Sequence, residues 1–247
     1  FSHRGQSGSR VIGSNKTLIV TGAYPKYTDL YRNAFVHSRN KFYRKQGMNT
    51  DVFRFQLTGT MDFHEFEGCP VVSGNPSDLR RFLSSGAYSS IVVHFLSPDI
   101  WEVVQEFAAR IPVIVWLHGA EIEPYWRRPW IAATPEIKRQ SDLRMGMWRS
   151  LLSREKQDIK LVFVSNEWRK QVLEDLELPF EYRNFEVVPN PIDCETFRYI
   201  EKDASQRFKV LSIRPYASAK YANDLSVKAV LELSKKRVFL TESVGNP

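Results

Sequence analysis

Hydrophobic positions along this chain follow two alternating rhythms. Short β-branched runs, apolar at nearly every position, are separated by stretches in which apolar residues recur every third or fourth place. The first rhythm suits strands buried on both faces, and the second suits helices with one apolar stripe. Lys16-Thr-Leu-Ile-Val-Thr-Gly22 predicts a first strand that ends at a glycine. Leu30–Gln46 predicts a helix with Ala34, Phe35, Phe42 and Tyr43 at helical spacing, Asp29 as its N-cap and Gly47 as its stop. Asp51–Gln56 alternates like a second strand. Leu57–Asn75 is irregular apart from a short strand at Pro70-Val-Val. A helix over Pro76–Ser84, a strand over Ser90–Phe95, and a helix opened by Pro98 and ending near Arg110 come next. The run from Val113 predicts another strand, Arg128–Pro135 a loop and Glu136–Lys156 a long helix. Lys160–Val164, Asn166–Leu176 and Glu186–Val188 continue as strand, helix and strand.

Strands alternating with helices at this spacing predict an α/β fold with a parallel, doubly wound sheet. Pro189-Asn-Pro-Ile-Asp193 breaks regular structure and reads as a crossover. Beyond it, Phe208–Ile213 predicts a strand, Arg214–Ala219 a loop, Lys220–Ser234 a helix and Arg237–Leu240 a strand, the start of a second α/β unit. The expected organisation is a linker or tag remnant over 1–16, one domain over 17–190, and the incomplete start of another over 191–247.

Composition narrows the class. With 247 residues, 43% of them hydrophobic and 13% aromatic, the chain can bury a substantial core and is not a disordered segment. No apolar run approaches the length that crosses a bilayer, and no signal-peptide pattern is present. Two cysteines, Cys69 and Cys194, form no metal motif and suit an intracellular chain with reduced thiols. The net charge of +7 points to an acidic partner. Its densest region holds Arg127, Arg128, Lys138, Arg139, Arg144, Arg149, Arg154 and Lys156, interleaved with Trp126, Trp130 and Trp148. That mixture suits an anionic membrane surface. The alternative is a long surface helix with its tryptophans turned inward. No helix-turn-helix or RNP-like signature supports nucleic acid as a partner.

Glycine-rich dinucleotide fingerprints, P-loops, nucleophile elbows and paired-histidine metal spacings are all missing. The chemistry therefore rests on two constellations. The first is Val113-Ile-Val-Trp-Leu-His-Gly-Ala-Glu121, a buried strand that ends at His118-Gly119 with Glu121 just beyond. Gly119 is expected to allow a turn where a side chain would clash. Polar groups at the carboxyl end of a parallel strand face the crevice where open α/β sheets bind ligands. His94 ends a neighbouring strand and is a candidate for the same crevice. The second is Arg214-Pro-Tyr-Ala-Ser-Ala-Lys220, in which an arginine after a strand and a lysine at a helix start can converge on a diphosphate. Two solvated cations around a turn are the plainer account.

Four segments together resemble the retaining GT-B glycosyltransferases of family 4. They are Tyr24–His37, Trp116–Glu121, Val188–Asp193 (Val-Pro-Asn-Pro-Ile-Asp) and the Arg214–Lys220 pair, and the likeness runs from about Leu18 to Lys235. The resemblance implies two Rossmann-like domains facing across a cleft, the amino-terminal one binding acceptor and the carboxyl-terminal one binding a nucleotide-sugar. It implies that Arg214 and Lys220 hold the donor diphosphate, that His118 is the catalytic cleft histidine near the transferred sugar, and that Tyr24, Pro25 and Lys26 line the cleft on the acceptor side. His94 and Glu121 are further cleft candidates. The family's spaced glutamate pair is not found, and the stretch that carries it would lie beyond Pro247 with most of the nucleotide pocket. The chain is thus expected to be an acceptor domain plus the first piece of a donor domain, and not to catalyse transfer alone. The expected activity of the intact protein is sugar transfer from a nucleotide-sugar to a glycan or lipid-linked acceptor in surface-polysaccharide synthesis, in the cytoplasm or peripherally at the inner face of the membrane. No cofactor or metal is expected, since no Asp-x-Asp pair is present. The rival is a non-catalytic glycan- or partner-binding module on the same scaffold.

Overall fold

The β-branched runs become strands because each can be covered on both sides. Alternate residues of one strand enter two different cores. Leu18 and Val20, Ile91 and Val93, Val113 and Val115, and Leu161 and Phe163 pack in one cluster. Ile19, Val92, Trp116 and Val162 pack in the other. This two-sided burial marks an α/β sheet with helices on both faces. In this computed structural model, the described residues are 16–153, 159–179, 185–195, 197–206, 209–213, 219–235 and 240–243.

The strands are β1 (Lys16–Thr21), β2 (Asn49–Phe55), β3 (Asp62–Phe66), β4 (Cys69–Gly74), β5 (Tyr88–His94), β6 (Val113–Leu117), β7 (Ile159–Phe163) and β8 (Phe185–Val187). They form one sheet in the order β3-β4-β2-β1-β5-β6-β7-β8, parallel throughout except for β3. The order reverses about β1, which lies between β2 and β5. The helices are α1 (Ala34–Lys45), α2 (Pro76–Ser84), α3 (Pro98–Val104), α4 (Pro135–Leu152) and α5 (Asn166–Asp175). Helices α2 to α5 supply the larger core with Leu79, Ile100, Trp148 and Val172, while α1 supplies Val36 to the smaller one. None of the helices among the described residues is long and apolar enough to cross a membrane.

The chain divides into two compact units, one of residues up to Arg127 with Pro135–Pro191, the other of Arg128–Thr134 with the residues from Ile192 on. In the second unit, β9 (Lys209–Ser212) and β10 (Leu240–Ser243) pair in parallel, and α6 (Asn223–Ser234) lies between them in sequence.

Three sequence expectations change. The first helix begins at Ala34, not Leu30, and Asp29 does not cap it. Asp29 instead closes a local turn through its backbone with Lys26 and takes the Arg32 guanidinium at 2.6 Å. The stretch read as irregular holds a hairpin, in which β3 runs antiparallel to β4 across Glu67 and Gly68 at φ 45° and 75°. Left-handed conformation at both central residues is what a tight hairpin turn requires. The third helix stops at Val104, and the chain then tightens into bonds from Glu106 and Phe107 back three residues to Val103 and Val104.

Candidate functional site

Helix α1 carries Ala34, Phe35, Phe42 and Tyr43 at helical spacing, yet it turns a largely polar face inward: Val36, His37, Arg39 and Asn40 are buried while Phe35 and Phe42 are exposed. Buried polar groups must find partners, and these do. Tyr24 lies wholly inside, its hydroxyl 2.8 Å from His37 Nδ1 and accepting from Asn40 Nδ2 at 3.1 Å. Asn40 Oδ1 in turn accepts from the Thr50 hydroxyl at 2.6 Å. Burial, the main cause, drives the Tyr24 phenol far above its ordinary pKa, so it stays protonated. The Tyr24 ring is thus packed inside the unit, with its hydroxyl engaged by His37 and Asn40. The neighbouring Pro25 is buried too, and its carbonyl lies 3.3 Å from His64 Nε2. Of the three, Lys26 alone keeps a half-exposed polar head.

The polar centre of the unit lies at the carboxyl ends of β5 and β6. His94 Nδ1 and His118 Nε2 are 2.9 Å apart, with the rings stacked at 5.2 Å and 16°. Such a bond needs one ring to donate and the other to accept, so both histidines cannot be protonated together. Burial depresses both: His94 falls well below its usual value, and His118 is pushed down to about 4, with Arg39 adding repulsion. At neutral pH the pair is uncharged. His94 Nε2 is sealed from solvent with no partner. Phe35 and Phe95 flank the His118 ring, each at 4.8 Å. Phe95 holds φ 61°, a conformation that bulky residues rarely adopt.

Glu121 is 6% exposed, and its carboxylate accepts from the backbone N–H groups of His118 and Gly119. Its role here is to fix the turn that presents His118. Gly119 was expected to avoid a clash, but a side chain there would meet nothing within 4 Å. The constraint is its φ of 143°, which favours glycine.

Arg39 joins this centre unannounced by the sequence, since an arginine in a helix usually faces water. Its guanidinium lies 3.5 Å from the centroid of the Trp116 ring, and Nη2 donates to Asn190 Oδ1 at 3.0 Å. Its Nε is buried without a partner. Arg39 thereby ties the Pro-Asn-Pro segment to the ring that stacks beside both histidines. A signal was present, because His37, Arg39 and Asn40 share one helical face with Val36.

Of the second constellation, Arg214 lies outside the described residues, and Lys220 is exposed in a single 3₁₀ turn, Ala219–Tyr221, of the second unit. The basic and aromatic region has mixed roles. Trp148 is fully buried and donates its indole N–H to Glu121 O at 2.9 Å, whereas Trp126 is half exposed. Arg127 makes a two-pronged bond to Asp175, and Arg144 donates to Glu123 O. An open groove of about 680 Å³ runs along α4, but its arginine, Arg139, is solvated and paired with Glu136, so its size alone does not make it a site. No group of three or more His, Cys, Asp and Glu residues among the described ones is placed to hold a metal ion.

No protein-family model matches the chain, and no curated protein does. Solved structures do. An alpha,alpha-trehalose-phosphate synthase (UDP-forming) from Burkholderia vietnamiensis aligns with TM-score 0.54 and 9% identity, over 94% of this chain and 64% of its own. A trehalose-6-phosphate structure from E. coli, bound with UDP-2-fluoro glucose, aligns with TM-score 0.55 and 11% identity over 93% and 64%. An alpha,alpha-trehalose 6-phosphate synthase from Burkholderia multivorans gives 0.50 and 11% over 94% and 63%. The chain therefore spans about 64% of the length of these counterparts. At such identity the likeness establishes fold alone: this chain shares the Rossmann-like α/β fold of these structures.

Proposed function

We propose that this protein acts as a retaining GT-B glycosyltransferase of the family 4 type, moving a sugar from a nucleotide-sugar to a glycan or lipid-linked acceptor in surface-polysaccharide synthesis. The observation that carries the reading is the uncharged His118 at the carboxyl end of β6, held by His94 and by the Glu121-fixed turn. Binding of UDP-2-fluoro glucose by the E. coli counterpart supports a nucleotide-sugar as the donor class.

In this reading Arg214 and Lys220 take the donor diphosphate. The bond between the anomeric carbon and the diphosphate oxygen breaks, and the bond from the acceptor oxygen to that carbon forms on the same face. The acceptor's proton leaves with the diphosphate. Two cations neutralise the charge that develops on the leaving group, the kind of contribution that dominates such transfers. A neutral His118 serves as a hydrogen-bonding group to the sugar near its anomeric carbon, not as a proton donor. The reading uses no metal. Action at the cytoplasmic face of a membrane fits an exposed Trp126 beside basic residues.

Calorimetric titration of UDP and GDP into the intact natural protein tests the reading. One of the two is expected to bind, and Arg214→Ala to weaken it by about tenfold, the worth of one charge-assisted contact. His118→Ala is expected to leave nucleotide binding near wild type and abolish sugar transfer. A protein that binds no nucleoside diphosphate is not a transferase of this kind, and the glycan-binding module then stands in its place.

A further inference from the structure

A second polar site lies in the first unit, at the carboxyl end of β2. A hollow of about 180 Å³ is lined by Tyr24, Lys26, Thr28, Asp29, Arg32 and Arg54. Its volume matches about six waters at roughly 30 Å³ each, room enough for a phosphate group. Three cations and one carboxylate line it, and that carboxylate, Asp29, is already taken by Arg32. The other two cations have no ion-pair partner among the described residues, although the Asp62 carboxylate is near enough to act on the adjoining His64.

Those charges belong to Lys26 and Arg54, and neither makes an ion pair among the described residues. The contrast within the same unit is plain: Lys16 pairs with Asp51, Lys41 with Glu67, Arg80 with Glu106 and Arg127 with Asp175. Arg54 is half-buried. Its Nε is sealed without a partner, and Nη1 makes one long contact of 3.4 Å to Ser73 Oγ. A guanidinium has five N–H donors in a planar fork, and most of this fork is unspent. His64 stands beside both cations. Burial, the main cause, lowers its pKa; the charges of Lys26 and Arg54 act in the same direction, against the Pro25 carbonyl and Asp62, which raise it. Its Nδ1 is also buried and unpartnered.

An uncompensated, partly buried pair of cations is unfavourable until an anion completes it. We propose that this hollow binds a phosphate monoester dianion carried by the acceptor, with Arg54 gripping two oxygens and Lys26 meeting the third. The proposal rests on the reading that this unit takes the acceptor, and it narrows that acceptor to a phosphorylated one. The phosphate can belong to a soluble sugar phosphate or to a lipid headgroup.

The test is calorimetric titration of inorganic phosphate into the intact protein at low salt, where screening is weakest. Saturable binding is expected, weakened about tenfold or more in Lys26→Gln/Arg54→Gln. A control double variant, Lys160→Gln/Lys170→Gln, removes the same charge from exposed sites elsewhere and is expected to bind like wild type. Lys26→Gln alone is expected to weaken binding too, and it serves if the Arg54 change prevents folding. Sedimentation with phosphatidic acid vesicles, against phosphatidylcholine ones, separates the sources. Vesicle binding lost in the Lys26/Arg54 variant identifies a lipid phosphate; phosphate binding without vesicle binding identifies a soluble acceptor. Absence of phosphate binding, or equal loss in both double variants, overturns the site. Because UDP and GDP titrations read different residues, that failure would leave the transferase reading intact, and failure of those titrations would leave this site intact.

Discussion

His94 and His118 make the protein sensitive to acid at the level of single residues. Each has a lower pKa folded than unfolded, so the unfolded chain binds more protons below the ordinary histidine value of about 6.5. Stability is therefore full above that value and is lost as pH falls toward about 4, the value set by burial of His118. At roughly 1.4 kcal/mol per pKa unit, His118 accounts for at most about 3–4 kcal/mol. Urea midpoints measured at pH 7.5 and 4.5 are expected to differ accordingly, and a flat profile would contradict the buried pair. Arg39→Met removes the repelling charge, so the His118 pKa is expected to rise in an NMR titration. It should stop short of its ordinary value, because burial is the larger cause. His118, Glu121 and His94 were legible as a group because each follows or ends a β-branched run. Arg39 was not, since its burial depends on Trp116 and Asn190, which are distant in sequence.

At the scale of elements, α2 was read with its observed bounds, whereas the start of α1 and the end of α3 were misplaced. Asn75 caps α2 by accepting from Ser77 N and Asp78 N, and the Asp78 carboxylate accepts in turn from Asn75 N, with Pro76 in the first turn. Asn75→Ala is expected to cost about 1 kcal/mol, read from the thermal midpoint. Gly74, just before it, is packed: an added Cβ would sit 2.8 Å from both Asp78 Cβ and Phe53 Cζ. Gly74→Ala is expected to destabilise by about 1–3 kcal/mol through overpacking, whereas Gly119→Ala fails through its backbone angle alone. The inward face of α1 escaped notice for a physical reason. Apolar periodicity assumes an apolar core, and this face packs His37, Arg39 and Asn40 into hydrogen bonds and a cation–ring contact. Strand β3 escaped because Glu67 sits in a left-handed turn position that glycine or asparagine ordinarily signals.

For the molecule as a whole, burial is unequal between the two units. The first holds both core clusters. In the second, no described residue with a stated exposure is buried. Amide hydrogen exchange is expected to be slow in β1, β5 and β6 and faster by local opening in β9 and α6. Equal protection would show a second core that this burial pattern does not contain. The amino-acid sequence by itself determined the alternation of strands and helices, the parallel sheet and the strand end that bears His118. Those follow from local periodicity, caps and breakers, which act within a few residues. Only the tertiary structure decided which polar side chains went inside. It paired His94 with His118 across neighbouring strands, laid Arg39 on Trp116, and left Lys26 and Arg54 beside one hollow without carboxylate partners. The physical reason is that the cost of burying a polar or charged group depends on partners brought close by the fold, and no local pattern records them.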